Sequence, residues 1–538
     1  MMANPFLPNP KQAQAIEHVH GPMLVLAGAG TGKTTVLVER IAKLIENGHA
    51  TPDQILAITF TDNAAAELKA RVEKRLRRKA VIAAGTFHAY CFGLLKRASN
   101  DFYTLLPEDV YVFLRQRIDQ LGLKHFIKPS DLGQFLDDLR SFFDRCNEEL
   151  IGPEDFQKYV DSLGQGRPLP RNCRSKEVEQ LGEAVILERW QEIAHVYANS
   201  MRLLDQNNLG TFGLQISRAV GLLQRDAGLL ELERSRAKFI LIDEFQDCNS
   251  SNIILAELLA GGAQNVFAVG DPDQAIYRFR GASSAAFEEF QRRFLQTESV
   301  TLAENQRSRG SILRVAFAAI RTNPGVASLG RKVKFERREL ESARDRRERE
   351  QGNLVFDAPV ETVISTNDEQ EASDIAREIA ALRATGRRGA PLSLAVLYRQ
   401  HAHREKIVSE LMARDIPFVV RGIGVTDTAA GRDLLAAVRS VACQNDAESL
   451  FRVGAFPKFN LDPLELRKNL AAAHGEKPFA EILKSMDAGR RVLETVEQAR
   501  RGSTEQGAGA AALFAQVIRD FELNSADPVI VAFTRFVE

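Results

Sequence analysis

Apolar positions along this chain follow two spacings. Unbroken runs such as Met23-Leu24-Val25-Leu26 predict short buried strands, and apolar residues at three- and four-residue steps predict helices. Val36, Leu37, Ile41, Leu44 and Ile45 keep the helical step straight after the first run, and Ala15, Ile16 and Val19 keep it before. Ile55 to Thr61 reads as a second strand, followed by a helix that Asp62 can cap and that begins Asn63-Ala64-Ala65-Ala66-Glu67-Leu68. Ala80 to Ala84, Lys238 to Ile242 and Asn265 to Gly270 read as further strands. Strands alternating with helices predict an α/β fold, a parallel sheet covered on both faces. Its ligands belong at the carboxyl ends of the strands.

Between about 102 and 215 the spacing is helical, with a Gly-, Pro- and Arg-rich loop from Gly164 to Arg174. This predicts a helical insertion into the first α/β domain, with Trp190 in its core beside Val185, Ile186 and Ile193. Gly352 to Ile364 gives two short strand patterns, Glu369 to Leu382 a helix, and Leu392 to Leu397 a buried run that begins a second α/β domain. Beyond Asp433 the pattern is helical.

Length and composition narrow this picture. A chain of 538 residues needs several cores, at roughly 100–200 residues per domain. Lys plus Arg and Asp plus Glu are 71 each, so any nucleic-acid contact must use a local groove. Residues 331–350 are dense in both charge signs and read as a solvated surface segment. Cys91, Cys146, Cys173, Cys248 and Cys443 are scattered, which points to a reducing compartment and no structural zinc. His401 and His403 lack a third ligand and read as surface histidines. There is no signal-peptide pattern and no apolar run of about 18 residues, so the expected location is cytoplasmic, with no membrane partner.

The chemistry concentrates at strand ends. Ala27-Gly28-Ala29-Gly30-Thr31-Gly32-Lys33-Thr34-Thr35 joins a strand to a helix and forms a phosphate cradle, with alanine at the usual first glycine. Lys33 can reach terminal phosphates, and the Thr34 hydroxyl can ligate magnesium. Asp243 and Glu244 end another strand. Asp243 could hold magnesium directly or through water, and Glu244 could orient or deprotonate an attacking water. Gln274 follows the strand ending at Gly270, and Phe60, Thr61, Thr86, Phe87 and His88 fall at other strand ends. Tyr277-Arg278-Phe279-Arg280 suits stacking on unpaired bases beside phosphates, or ordinary aromatic packing. The Gln12 amide suits an adenine edge; a solvent-facing helix start is the alternative.

Taken together these stretches resemble the UvrD/Rep/PcrA family of superfamily 1 DNA helicases, in the family's own order over nearly the whole chain. Gln12 and Arg40 match its adenine-side residues, and Ala27 to Thr35 its first motif, in which the family also tolerates the alanine. Thr59 to Leu68 and Gly85 to His88 resemble its DNA-contact segments, with Asn63 in place of the usual lysine. Asp243-Glu244-Phe245-Gln246-Asp247 is highly specific for it. In Gly270 to Gly281 the resemblance implies that Gln274 senses the γ-phosphate while Tyr277 and Phe279 stack on bases, Phe279 replacing a tryptophan. Asn305-Gln306-Arg307-Ser308 resembles the motif opening the second motor domain, with Arg307 on the γ-phosphate and Gln306 in place of an adenine-stacking tyrosine.

The resemblance implies a RecA-like P-loop motor domain with a helical insertion, plus a partial second RecA-like domain carrying a helical inserted subdomain. The expected divisions are 1–101 and 216–297 for the first motor domain and 102–215 for the insertion. The second motor domain would take 298–432 and its inserted subdomain 433–538. The implied activity is ATP- and Mg2+-dependent 3′-to-5′ movement on single-stranded DNA and single-strand/double-strand junctions, in repair or recombination. The family's last two motifs are not found before Glu538, so the expectation is the N-terminal part of a longer polypeptide or a truncated gene product. Two variants are a helicase–nuclease motor and a non-catalytic ATP- and DNA-binding module. A small-molecule P-loop kinase would leave the acid pair, the glutamine and the interleaved aromatics unexplained.

Overall fold

The computed structural model describes residues 7–100, 102–126, 132–169, 182–275, 285–322, 337–355, 359–385, 393–420, 428–442, 446–473, 478–505, 510–523 and 530. They fall into two compact units, Met1–Glu361 and Thr362–Glu538.

The first unit is built on a six-stranded parallel sheet. Its strands are β1 (Met23–Ala27), β2 (Ile55–Ile58), β3 (Ala83–Gly85), β4 (Phe239–Ile242), β5 (Val266–Gly270) and β6 (Glu298–Leu302), in the spatial order β3-β2-β4-β5-β1-β6. The register sets Leu26 opposite Gly270, Ala27 opposite Leu302 and Ile58 opposite Ile242. Because every strand points the same way, all six carboxyl ends meet along one edge.

The period-2 alternation of a strand sorts β1 between two cores. Met23, Val25 and Ala27 pack with Val36, Leu37, Ile41 and Leu44 of α2 (Lys33–Glu46), and with Ile16 of α1 (Pro10–Glu17). Leu24 and Leu26 face the opposite layer, which contains Leu94 and Leu95 of α4 (Phe87–Arg97) and Phe245. Both faces are covered, so the strands carry continuous apolar runs rather than a polar alternation. β3 is shorter and later than the run Ala80 to Ala84 suggests. Thr61, not Asp62, caps α3 (Asp62–Leu76), accepting a hydrogen bond from Ala64 N at 3.1 Å.

The helices between β3 and β4 include α5 (Pro107–Gln116), α6 (Leu132–Glu148), α7 (Pro153–Gly164), α8 (Glu183–Gln206), α9 (Phe212–Arg225) and α10 (Ala227–Arg236). The two-residue strands Tyr103–Thr104 and Leu209–Gly210 pair in parallel and bring the ends of α5 to α8 together. Gly210 is required there: a Cβ would lie 2.1 Å from the Phe102 ring. Trp190, half-buried, packs against the insertion's core, its ring centroid 6.1 Å from that of Phe156 and 6.3 Å from that of Tyr159. α11 (Ser250–Ala260) lies between β4 and β5, α12 (Ala285–Arg293) between β5 and β6, and α13 (Gly310–Ile320) and α14 (Ala343–Glu350) follow β6.

The second unit is helical among its described residues. Asp368–Thr385 packs on His401–Ala413 through Ala372, Ala376, Ile407 and Leu411. A second core joins helices from Ala429 to Asp520 through Val453, Leu483, Val492 and Phe521. The strands expected at 352–364 and 392–397 are absent among the described residues. Leu354 is 98% exposed, Ile364 91% and Leu397 94%. A strand persists only within a ladder, and no described segment runs beside these runs to complete one. His403 is half-buried, and no cluster of metal-ligating residues occurs among the described residues. No described helix is long and apolar enough to cross a membrane.

Candidate functional site

The loop after β1 turns on two glycines in the left-handed region, Gly30 at φ +75° and Gly32 at +93°, conformations that side chains disfavour. Thr31 closes it, its Oγ1 donating to Gly28 O at 2.8 Å. Lys33 and Thr34 then open α2, so the helix N-terminus follows directly on the loop. Thr35 accepts a hydrogen bond from Arg71 at 3.2 Å.

The end of β4 delivers the acid pair to this loop. Lys33 Nζ lies 3.2 Å from Glu244 Oε2. Glu244 itself adopts φ +48°, a strained backbone for a non-glycine residue, and its N–H donates to Asp243 Oδ1 at 3.0 Å. Burial, then the neighbouring Glu244 carboxylate, pushes the Asp243 pKa up to about 6, against the opposing pull of the Glu244 N–H, Lys33 and Arg71. Two carboxylates are thus held with too little positive charge nearby, which is the environment a divalent cation relieves. The donor set, hard carboxylate oxygen plus a threonine hydroxyl, fits Mg2+.

Gln246 carries the contact onward. Its Nε2 donates to Glu244 Oε2 at 2.7 Å, and its Oε1 accepts from Asp271 N at 2.9 Å. Asp271 Oδ2 in turn accepts from Gln274 Nε2 at 2.7 Å. A hydrogen-bonded path therefore links Lys33, Glu244, Gln246, Asp271 and Gln274. Gly270 makes it feasible, since a Cβ there would sit 2.7 Å from Gln246 Oε1.

The segment after β6 closes on the loop from the other side. Asn305, 1% exposed, donates to Ala29 O at 2.6 Å and accepts from Arg307 N at 2.8 Å and Ser308 N at 2.6 Å. Gln306 N donates to Gly30 O at 2.8 Å. Arg307 is exposed beside the loop, its Cβ 2.9 Å from where a Cβ on Gly30 would lie.

Of the other expected site residues, Gln12 touches the loop and the rest fall elsewhere. Gln12 is buried at 2% exposure, donating to Thr31 O at 3.1 Å and accepting from Asn9 N at 3.0 Å. Arg40 lies inside the sheet's helical cover. Its guanidinium donates to Ala15 O and Val19 O, both at 3.3 Å, and stacks 4.5 Å over Phe267, and burial lowers its pKa to about 9. Phe60 and Thr61 follow β2, and Thr86 and His88 follow β3. Thr61 and Thr86 both spend their hydroxyls on helix caps. Tyr277 and Phe279 lie outside the described residues.

The charged stretch expected to be solvated is partly structural. Arg337 donates to Asp273 at 2.6 Å, and Leu340 stands 2.7 Å from where a Cβ on Gly28 would be. Arg309 pairs with Asp345 at 2.9 Å and with Glu348, and Asp345 is 2% exposed. From Arg337 on, many of the stretch's charges are paired, a distinction composition does not carry; residues 331–336 lie outside the described residues. Composition also concealed Gln246, Asp271, Asn305 and Arg71 as connectors. Place just after a strand end marks Gln246, Asp271 and Asn305, whereas Arg71 lies within α3.

Comparison with known proteins agrees with this geometry. Residues 8–295 match the family model of the UvrD/REP helicase N-terminal domain, and residues 300–470 that of the UvrD-like helicase C-terminal domain. An ATP-dependent DNA helicase PcrA of Staphylococcus epidermidis is 30% identical over 465 residues, covering 86% of this chain and 57% of the relative. One of Staphylococcus aureus is 28% identical over the same length and shares. The chain thus spans 57% of the length of these curated relatives. A phosphate-type loop, an acid pair and a glutamine meeting at one sheet edge, under a family model that covers more than half the sequence, give the assignment: the chain belongs to the UvrD/REP helicase family.

Proposed function

We propose that this chain is an ATP-driven DNA motor that hydrolyses ATP at the β1 loop and moves 3′ to 5′ along single-stranded DNA. The observation that carries the proposal is the Lys33–Glu244 contact of 3.2 Å, joined through Gln246 to the turn bearing Gln274. The loop from Ala27 to Thr35 binds the phosphates through its backbone amides, and Lys33 supplies a positive charge at the terminal phosphates. Thr34 and Asp243 would hold Mg2+, which would supply charge neutralisation at the phosphates. Glu244 positions and deprotonates the attacking water, released from Lys33 when phosphate takes the lysine's charge. Arg307 and Gln274 face the terminal phosphate from the ends of β6 and β5.

Gln274 precedes Tyr277 by three residues in sequence, so a change at the phosphate has only a short stretch of chain to cross to the DNA side. Phe60, Thr61, Thr86 and His88, at two neighbouring strand ends, continue the DNA face. The adenine side rests on Gln12 and the residues about it. Single-strand/double-strand junctions, in repair or recombination, are the substrate of this reading.

A second reading, a nucleotide-binding module with negligible turnover, is favoured by Gln306. It is exposed, bonded to Glu304 and Arg347, and offers no aromatic face to a base. Steady-state phosphate release with and without oligo(dT) separates the two. The motor predicts turnover stimulated by DNA and abolished by Glu244→Gln. Absence of stimulation, with DNA binding that still responds to nucleotide, would replace it with the module.

A further inference from the structure

Lys33 and Glu244 mark where the last phosphate of a nucleotide belongs, so the nucleoside trails away from that pair. On the side of the loop where Gln12 meets Thr31 O and Gln306 N meets Gly30 O stands a rim of six side chains. The start of α1 supplies Asn9 and Gln12, the segment after β6 supplies Glu304 and Gln306, and α14 supplies Arg346 and Arg347. None of the six carries a ring.

The polar groups of this rim are turned on one another. Gln12, 2% exposed, spends its Nε2 on Thr31 O at 3.1 Å and its Oε1 on Asn9 N at 3.0 Å. Asn9 Oδ1 accepts from Gln12 N at 2.9 Å, and its Nδ2 donates to Glu304 Oε2 at 2.8 Å. Gln306 Nε2 donates to the same oxygen at 3.2 Å, and Arg347 donates to Gln306 Oε1 at 3.4 Å. Arg346 pairs with Glu304. Arg40, behind the loop, is 2% exposed and bonded to Ala15 O and Val19 O.

A base is read at its edge, by a donor and an acceptor presented in the right order. The rim's amides already hold protein partners. What it offers instead is flat faces: the exposed Gln306 amide and, beside it, the Arg347 guanidinium, whose Nε is tied to Ala343 O at 3.2 Å. A guanidinium plane attracts the face of any base, because every base has a π-system. Two arginines against one glutamate leave the rim cationic, which favours a polyphosphate whatever base it carries.

We propose that the nucleotide site is indifferent to the base: it binds ATP, GTP, CTP and UTP alike, the base lying on Gln306 and Arg347 while the phosphates carry the affinity. The inference rests on the nucleotide reading above and widens its substrate class from ATP to nucleoside triphosphates in general.

The test titrates the full chain, at fixed Mg2+, with ATP, GTP, CTP, UTP and inorganic tripolyphosphate, each displacing a fluorescent ATP analogue. The four nucleotides are expected within about tenfold of one another, less than one bidentate base contact gives. Gln306→Tyr adds a ring and should tighten ATP about tenfold while leaving tripolyphosphate, which has no base, unchanged. Arg347→Ala should weaken all four nucleotides by a similar factor, roughly threefold. If any of them binds more than about tenfold more weakly than ATP, the rim reads the base, and the proposal fails while the ATP reading stands. If Gln306→Tyr leaves ATP unchanged, or Arg347→Ala spares all four, the base lies off this rim and the proposal fails likewise. If ATP itself does not bind, the nucleotide reading falls with it.

Discussion

Asn305 offers the most direct test of how the nucleotide loop is held. Its side chain makes three hydrogen bonds while 1% exposed: one donated to Ala29 O, two accepted from Arg307 N and Ser308 N. Asn305→Ala removes all three at once. At about 0.5–1.5 kcal/mol net for each bond, the loss is roughly 3 kcal/mol. For a unit of this size that lowers the melting temperature by about 5 °C. Asn305→Asp keeps both accepted bonds but sets a carboxylate oxygen against Ala29 O. It should therefore preserve the Arg307–Ser308 turn and still release the loop. Both variants should weaken binding of a fluorescent ATP analogue, with only the alanine variant also losing the turn. The assays are thermal melting without nucleotide and nucleotide titration at fixed Mg2+. An alanine variant melting within about 1 °C of wild type would refute the latch.

Three further outcomes follow from the same geometry. Lys33→Ala removes the cation 3.2 Å from Glu244 and should weaken fluorescent-ATP binding about 10- to 100-fold in a titration, with unchanged affinity counting against its phosphate role. The raised pKa of Asp243, about 6 against an unfolded value near 4, means that the folded state holds a proton the unfolded state has lost. Stability should therefore fall as pH rises from about 4 to 6, a trend that Asp243→Asn flattens in pH-resolved melts. Mg2+-dependent nucleotide binding should rise over the same window, and Glu244→Gln should shift that rise to lower pH by removing the neighbouring charge. Gly270→Ala should cost about 1–3 kcal/mol by overpacking, because the new Cβ meets Gln246 Oε1 at 2.7 Å and the Phe245 and Gln246 amides at 3.0 Å. Gly262→Ala, with nothing within 4 Å, is the matched control in the same melts.

Much of the first unit was legible in the sequence because its strands are buried on both faces. The unbroken apolar runs at 23–27, 239–242 and 266–270 have no polar interruption to confuse them, and each is followed by its functional residues. Parallel strands then guarantee that those residues share an edge. Pairing, however, depends on partners that periodicity does not report. Leu394 and Leu397 look like Leu24 and Leu26 in sequence, yet no described strand runs beside them, and they stay exposed. Side-chain direction was equally hidden. Arg40 sits at a position the family resemblance ties to adenine, but here its guanidinium turns into the layer between α1 and Phe267. Thr61 and Asp62 are both competent caps. Backbone geometry at Thr61 decides between them.

The paired charges between Arg337 and Glu348 bear on where this protein can be divided. A fragment stopping soon after β6 would keep every motif of the β1 loop and still strip Asp273 of its arginine, Gly28 of the leucine beside it and Arg309 of both its acids. The smallest autonomous nucleotide-binding piece should accordingly extend through Glu350. A cut chosen by sheet topology alone would yield a protein whose weakness was made by the scissors.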